Sequence, residues 1–127
     1  MSPDADLRLE LFVADVERSA AFYERVLGFV RERESDAYVA IRRGDVRIGI
    51  GAAANLPPQH YFDASSLQHR KGIGVEIVLE VDDVDEALRT VIEAGHPVLT
   101  QLGRRPWGLR DFRIADPDGY YLRITSK

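Results

Sequence analysis

The 127-residue chain has no cysteine, one tryptophan, one methionine and only two lysines among its 17 basic residues. Without cysteine there is no disulfide, no thiolate metal site and no cysteine nucleophile. An excess of positive charge is missing too. The 17 Lys and Arg face 21 Asp and Glu, a formal net charge of −4, so the cations that phosphate contacts require do not accumulate and no nucleic-acid partner is expected. No apolar run approaches the roughly 20 residues of a membrane-spanning helix. The stretch "MSPDADLRLELF" lacks the basic n-region and apolar h-region of a secretory signal. These absences lead us to expect a cytoplasmic protein with no membrane partner.

What is present reads as one ordinary domain. Hydrophobic residues make up 45% of the chain and charged residues 30%, with both signs interspersed, a balance that excludes disorder. Leu7 to Val13 alternates, with Leu7, Leu9, Leu11 and Val13 on one face and Arg8, Glu10 and Phe12 on the other, the period of a strand. Asp15 then caps a helix whose apolar residues Val16, Ala20, Tyr23 and Leu27 recur at helical spacing until Gly28 stops it. Strand-like runs follow at about Phe29 to Glu34, Tyr38 to Arg42 and Val46 to Gly51, the last two separated by a turn at Gly44 and Asp45.

Residues 52–73 lose periodicity and contain a Pro-Pro pair, which marks a connecting arm. The order then repeats. Val75 to Val81 alternates, Asp83 with Glu86 makes a capping box, and Gly95 and Pro97 end the second helix. Strand-like runs at about Pro97 to Gln101, Leu109 to Ala115 and Tyr120 to Thr125 complete the copy, with the turn "DPDG" between the last two. Laying "VADV" (Val13 to Val16) over "VDDV" (Val81 to Val84) aligns strand with strand and helix with helix, giving two copies of βαβββ. The fold class is therefore α+β: one domain, with module one at about 6–51, the arm at about 52–73 and module two at about 74–126. One copy alone is a sheet with a helix on one face and nothing on the other. Two copies can bring their bare faces around an open, barrel-like, half-polar cavity.

Alternation points Arg8, Glu10, Phe12, Arg47, Gly49, Glu76, Val78, Glu80, Tyr121 and Arg123 into that cavity. They can form a polar pocket with aromatic walls that orients a ligand, or the charges can simply pair with one another and fill the space. Trp107, between Pro106 and Gly108, is either core filler or a stacking surface at the rim. His60, Tyr61 and Phe62 could make a flap over the pocket, or the arm could be a dimer contact or solvated loop. The three histidines lack metal-site spacing, and Ser19, Ser65 and Ser66 lie in no GxSxG elbow.

The doubled βαβββ, opened by "LFVADVERSAAFYERVLGF", continued by "VEIVLEVDDVDEALRTVIEAG" and closed by "RIADPDGYYLRI", resembles the vicinal oxygen chelate superfamily of glyoxalases, bleomycin-resistance proteins and extradiol dioxygenases. In its metal-dependent members the ligands come from the first and last strand of each module. The resemblance carries those positions onto Arg8, Glu76, the neighbourhood of Gly49 and Arg123. Only Glu76 among them could ligate a metal, so neither a metal nor another cofactor is expected. "RRPWG" followed by "DPDG" is similar to the metal-free, bleomycin-resistance-type branch. That resemblance implies a homodimer that sequesters an aromatic or cationic small molecule, antibiotic-like, without chemistry. Arg8, Glu10, Phe12, Arg47, Glu76, Glu80, Trp107, Tyr121 and Arg123 would bind it. The alternative is a glyoxalase-like isomerase or lyase with Glu76 as general base.

Overall fold

In a computed structural model, which describes residues 4–62 and 71–127, the chain forms two four-stranded sheets and two long helices. His69, Ser65 and Ser66 lie outside the described residues. The first module comprises β1 (Leu9–Val13), α1 (Val16–Leu27), β2 (Val30–Ser35), β3 (Tyr38–Arg43) and β4 (Val46–Ala52). The second comprises β5 (Ile77–Glu80), α2 (Val84–Glu93), β6 (Thr100–Arg104), β7 (Arg110–Ala115) and β8 (Tyr121–Thr125). Each sheet has the same order, β1-β4-β3-β2 and β5-β8-β7-β6, with the first strand parallel to the last and antiparallel pairing elsewhere. Among the described residues no helix is long and apolar enough to cross a membrane.

Local chemistry sets the element ends. Asp15 caps α1 by accepting from the Arg18 amide at 3.0 Å, and Asp83 caps α2 by accepting from the Glu86 amide at 3.0 Å. Gly28 and Gly95 take φ of 72° and 74° just past the last turns, where a Cβ would be strained. β1 begins at Leu9, opposite Ile48, two residues after the alternation starts, and leaves Leu7 exposed. β6 lies about three residues later than the pattern predicts. Pro97 has no N–H for the ladder, the first bond to β7 is Leu99 N–H to Arg113 O at 2.8 Å, and the register shifts between Thr100 and Gly103.

The core lies between each sheet and its helix. Ala20, Tyr23, Val26 and Leu27 of α1 meet Val39, Ile41, Ile48 and Ile50 of the first sheet; Val84, Ala87 and Val91 of α2 meet Phe112, Ile114, Leu122 and Ile124 of the second. Each fully buried Ile, Leu or Phe stabilises the fold by about 1.5–3 kcal/mol. The opposite face of each sheet carries the charged residues.

The modules meet mainly through α1 against α2 and through the β7–β8 turn, not sheet face to sheet face. Tyr23 donates its hydroxyl to Asp116 Oδ2 at 2.8 Å, Ser19 donates to Asp118 Oδ2 at 3.1 Å, and the Ala14 amide donates to Asp118 Oδ1 at 2.9 Å. Tyr120 spans the gap, donating to Phe12 O at 3.0 Å and accepting from the Phe12 amide at 3.3 Å. The cavity between modules is thus open: the sheets do not close into one barrel.

Candidate functional site

Strand register brings equivalent positions of the two modules into view. Glu10 lies opposite Gly49 and, 68 residues on, Val78 lies opposite Arg123, so Gly49 and Arg123 occupy the same place in their sheets. What fills that place differs. Over Gly49, Tyr38 donates its hydroxyl to the Glu10 carboxylate at 3.0 Å from both oxygens, and Arg8 lies 3.3 Å from Glu10 Oε1. A Cβ at Gly49 would stand 1.6 Å from Glu10 Oε2 and 2.1 Å from the Tyr38 hydroxyl. Gly49 is therefore the floor on which this contact rests. Partial burial, followed by the bond to Glu10, pushes the Tyr38 phenol above its ordinary value.

Beside this contact Arg8, Arg33, Tyr38, Arg42 and Arg47 line a cleft of about 360 Å³. Arg47 pairs with Asp6 at 3.7 Å, and both side chains are well exposed, so that pair adds little stability. Phe12 faces the arm instead, its ring centroid 5.8 Å from His60 and 5.6 Å from Phe62. These two arm residues do come down over the first sheet, while Tyr61 is 92% exposed.

The second face is built around Asp111, which is fully buried. Arg105 donates through Nε to Asp111 Oδ1 at 2.7 Å and through a terminal nitrogen to Asp111 O at 2.9 Å. Arg113 and Arg123 approach the same carboxylate at 3.7 and 4.0 Å, and approach Glu76 Oε1 at 3.9 and 3.4 Å. Asp111 Oδ2, Arg113 Nε and Arg123 Nε are buried without a hydrogen-bond partner. The Arg113 guanidinium is held above its ordinary pKa, chiefly by its hydrogen bond with Tyr121. Trp107 sits at the tip of the β6–β7 hairpin, in the turn closed by Gly108 N–H to Arg105 O at 2.9 Å. There it is 54% exposed, and Arg123 Cζ lies 5.6 Å from its ring. The indole is no core filler.

Of the residues singled out from the sequence, Glu76, Arg123, Trp107 and Tyr121 meet on this second face, whereas Arg8, Glu10, Phe12 and Arg47 share the first. Glu80 is exposed at the end of β5 and joins no ion pair among the described residues. Tyr38, Arg105, Asp111 and Arg113 escaped the sequence reading. Extending the alternation of β7 finds two of them, because Arg113 lies directly opposite Arg123 and Asp111 is two residues away on the same face.

The four positions at which the superfamily places metal ligands are Arg8, Gly49, Glu76 and Arg123. They hold one carboxylate, and two guanidiniums crowd it. A divalent cation would meet like charge and a single donor, so these residues do not fit a metal. Among the described residues no group of three or more His, Asp or Glu side chains is arranged to hold one.

Comparison with known proteins agrees with this fold. Over 125 residues, spanning 95% of this chain and 89% of theirs, the chain is 30% identical to proteins named lactoylglutathione lyase from Neisseria meningitidis serogroups A and B. A crystal structure of an Agrobacterium tumefaciens protein superposes with a TM-score of 0.79 at 24% identity, covering 100% of this chain and 97% of that one. A lactoylglutathione lyase from Agrobacterium tumefaciens superposes with a TM-score of 0.73 at 22% identity over 98% and 95% of the two chains. The family model described as Glyoxalase/Bleomycin resistance protein/Dioxygenase superfamily matches residues 7–124, and with the doubled βαβββ architecture this establishes that the chain belongs to that superfamily.

Proposed function

We propose that the protein is a metal-free small-molecule binder that acts by sequestration, of the bleomycin-resistance type, in the cytoplasm. The observation that carries this reading is the Arg123–Glu76 pair under Trp107. The place of a chelating carboxylate holds a guanidinium, and a half-exposed indole lies over it. Such a surface offers stacking and charge but no Lewis acid. A homodimer is part of the reading. Each charged face is open toward solvent on the side away from its helix, so a second copy can close a pocket over it.

The alternative is a glyoxalase-like isomerase or lyase with Glu76 as general base, favoured by the 30% identity to the Neisseria meningitidis lactoylglutathione lyases. Against it stands the setting of Glu76, which has two arginines within 4 Å, shares both of them with the buried Asp111 carboxylate, and has no histidine in its ion-pair cluster among the described residues. A proton taken from substrate would have to displace those pairings.

A Glu76→Gln variant separates the readings. Wild-type and variant protein are incubated with a panel of planar aromatic antibiotics and with the methylglyoxal–glutathione adduct. Binding is followed by thermal shift, and recovered compounds are identified by mass spectrometry. Sequestration predicts compounds returned unchanged and affinity altered by no more than about tenfold in the variant, the effect of one charge-assisted contact. Turnover of the adduct that disappears in Glu76→Gln would establish the enzyme instead. Sedimentation at micromolar concentration checks the dimer.

A further inference from the structure

We infer that the face of the second sheet turned away from α2 is a seat for a monoanionic planar ligand, a carboxylate on a conjugated or aromatic body, gripped by Arg113 and Arg123 and stacked on Trp107. This rests on the sequestration reading and names the ligand class for it.

Charge balance is the first ground. Three guanidiniums, Arg105, Arg113 and Arg123, gather around two carboxylates, Asp111 and Glu76, leaving one positive charge in surplus on a chain whose net charge is −4. Arg105 is spent, because its Nε and a terminal nitrogen are bound to Asp111 and to the backbone of Gln101 and Asp111. Arg123 is not, and Arg113, which bonds Tyr121, keeps donors to spare. Their Nε atoms are buried with no hydrogen-bond partner, and their distances to Glu76 of 3.9 and 3.4 Å exceed the length of a good N–H···O bond. A guanidinium has five donors in a planar fork, and two forks with unused donors side by side match the two oxygens of a carboxylate.

Access is the second ground. Asp111 is fully buried beneath Arg105 and cannot leave, but the Glu76 side chain, just before the edge strand β5, is 35% exposed and is held only by its long contacts. It is a plug that can swing toward solvent and admit a carboxylate beside it, and the ligand's negative charge then offsets the surplus. A neutral ligand would leave the forks unpaired, and a cation would add to the surplus.

Trp107 is the third ground. Its ring lies 5.6 Å from Arg123 Cζ and is 54% exposed, so an aromatic body attached to a carboxylate held at Arg123 reaches the indole. Antibiotic-like cations, which the family resemblance implies, are disfavoured on this face.

The test uses 1-naphthoate, 1-naphthamide and 1-naphthylmethylammonium with the full chain, by titration calorimetry and by the emission of Trp107, the single tryptophan. Naphthoate should bind at least tenfold more tightly than the amide and change the emission. In Arg113→Gln the affinity for naphthoate should fall to within twofold of the amide. Arg113→Lys, which keeps the charge but not the fork, guards against a misfolded Gln variant and should lose three- to fivefold. Trp107→Leu, at an exposed turn, should weaken naphthoate and amide alike and leave the preference intact. Equal binding of the amide, a preference untouched in both Arg113 variants, or no binding of naphthoate overturns the seat. Binding of the ammonium compound in its place also overturns the seat while leaving sequestration standing. Chemical conversion of a bound compound would count against sequestration, and the carboxylate preference is read separately from it.

Discussion

Replacing Tyr23 by Phe removes one oxygen atom and tests how the two modules are held together. Tyr23 is completely buried, and its hydroxyl donates to Asp116 Oδ2 at 2.8 Å. Asp116 is 5% exposed, with its other oxygen taken by the amides of Asp118 and Tyr120 at 2.9 Å. The variant leaves Oδ2 without a donor in a place water does not reach. A hydrogen bond to a charged group contributes about 1.5–3 kcal/mol and a neutral one about 1 kcal/mol. Burial raises the Asp116 pKa, while the Tyr23 bond and the two amides work to lower it.

A carboxyl raised in the fold is most favourable below its unfolded value, and that advantage is lost as pH rises through the folded value. Deleting the Tyr23 bond raises Asp116 further. The Tyr23→Phe penalty should therefore grow with pH, from about 1 kcal/mol near pH 4 to about 2 kcal/mol at neutral pH. For a chain of this length 2 kcal/mol corresponds to a drop in Tm of about 7 °C. Urea unfolding at a series of pH values, with Asp116→Asn and the double variant completing a cycle, measures it. In Asp116→Asn the pH dependence of the Tyr23→Phe effect should vanish. A penalty below 0.5 kcal/mol, or one that shrinks as pH rises, would refute the reasoning.

The other expectations are more direct. Asp111→Ala strands three guanidiniums around a missing charge and should cost about 3–5 kcal/mol by urea unfolding, whereas Asp111→Asn should cost less because Arg105 keeps an acceptor. Gly49→Ala drives Glu10 and Tyr38 apart through flexible side-chain ends. Stability should fall by no more than about 1 kcal/mol, while the Tyr38 phenol titrates closer to its ordinary value in an ultraviolet pH titration. Arg31 pairs with Glu17, Glu24 and Glu34 on the surface; Arg31→Ala should lower stability by about 1 kcal/mol at low salt and by less in molar salt.

The elements were legible because local rules agree. Leu11 and Val13 alternate and are buried; Asp15 and Gly28 bracket a helix by capping chemistry that acts within a few residues. The repeat exposed the two modules, and the resemblance of their motifs exposed the family. Arg123 was legible as a misfit in a metal site. Its partners were not, since Asp111 and Arg113 sit on β7, whose inward face the sequence reading left unread, and only register places Arg113 opposite Arg123. Tyr38 meets Glu10 because Gly49 leaves room between them, a condition set by the neighbouring strand and invisible in either residue's own surroundings. That the modules meet through α1 against α2 and not sheet against sheet also lies beyond periodicity, which says which face is polar but not what covers it.

The turn at Asp116 to Tyr120 bears on how the chain is made. Its contacts with Phe12, Ala14, Ser19 and Tyr23 close sequence separations of 108, 104, 99 and 93 residues. During synthesis α1 and β1 must wait for nearly the whole second module to emerge before these partners exist. Module one thus leaves the ribosome with the Tyr23 hydroxyl and the Phe12 amide still unpaired. Contacts of such range slow folding, and a chain stalled before residue 116 would keep α1 on its own sheet with its module-two side uncovered, as a target for chaperones or proteases.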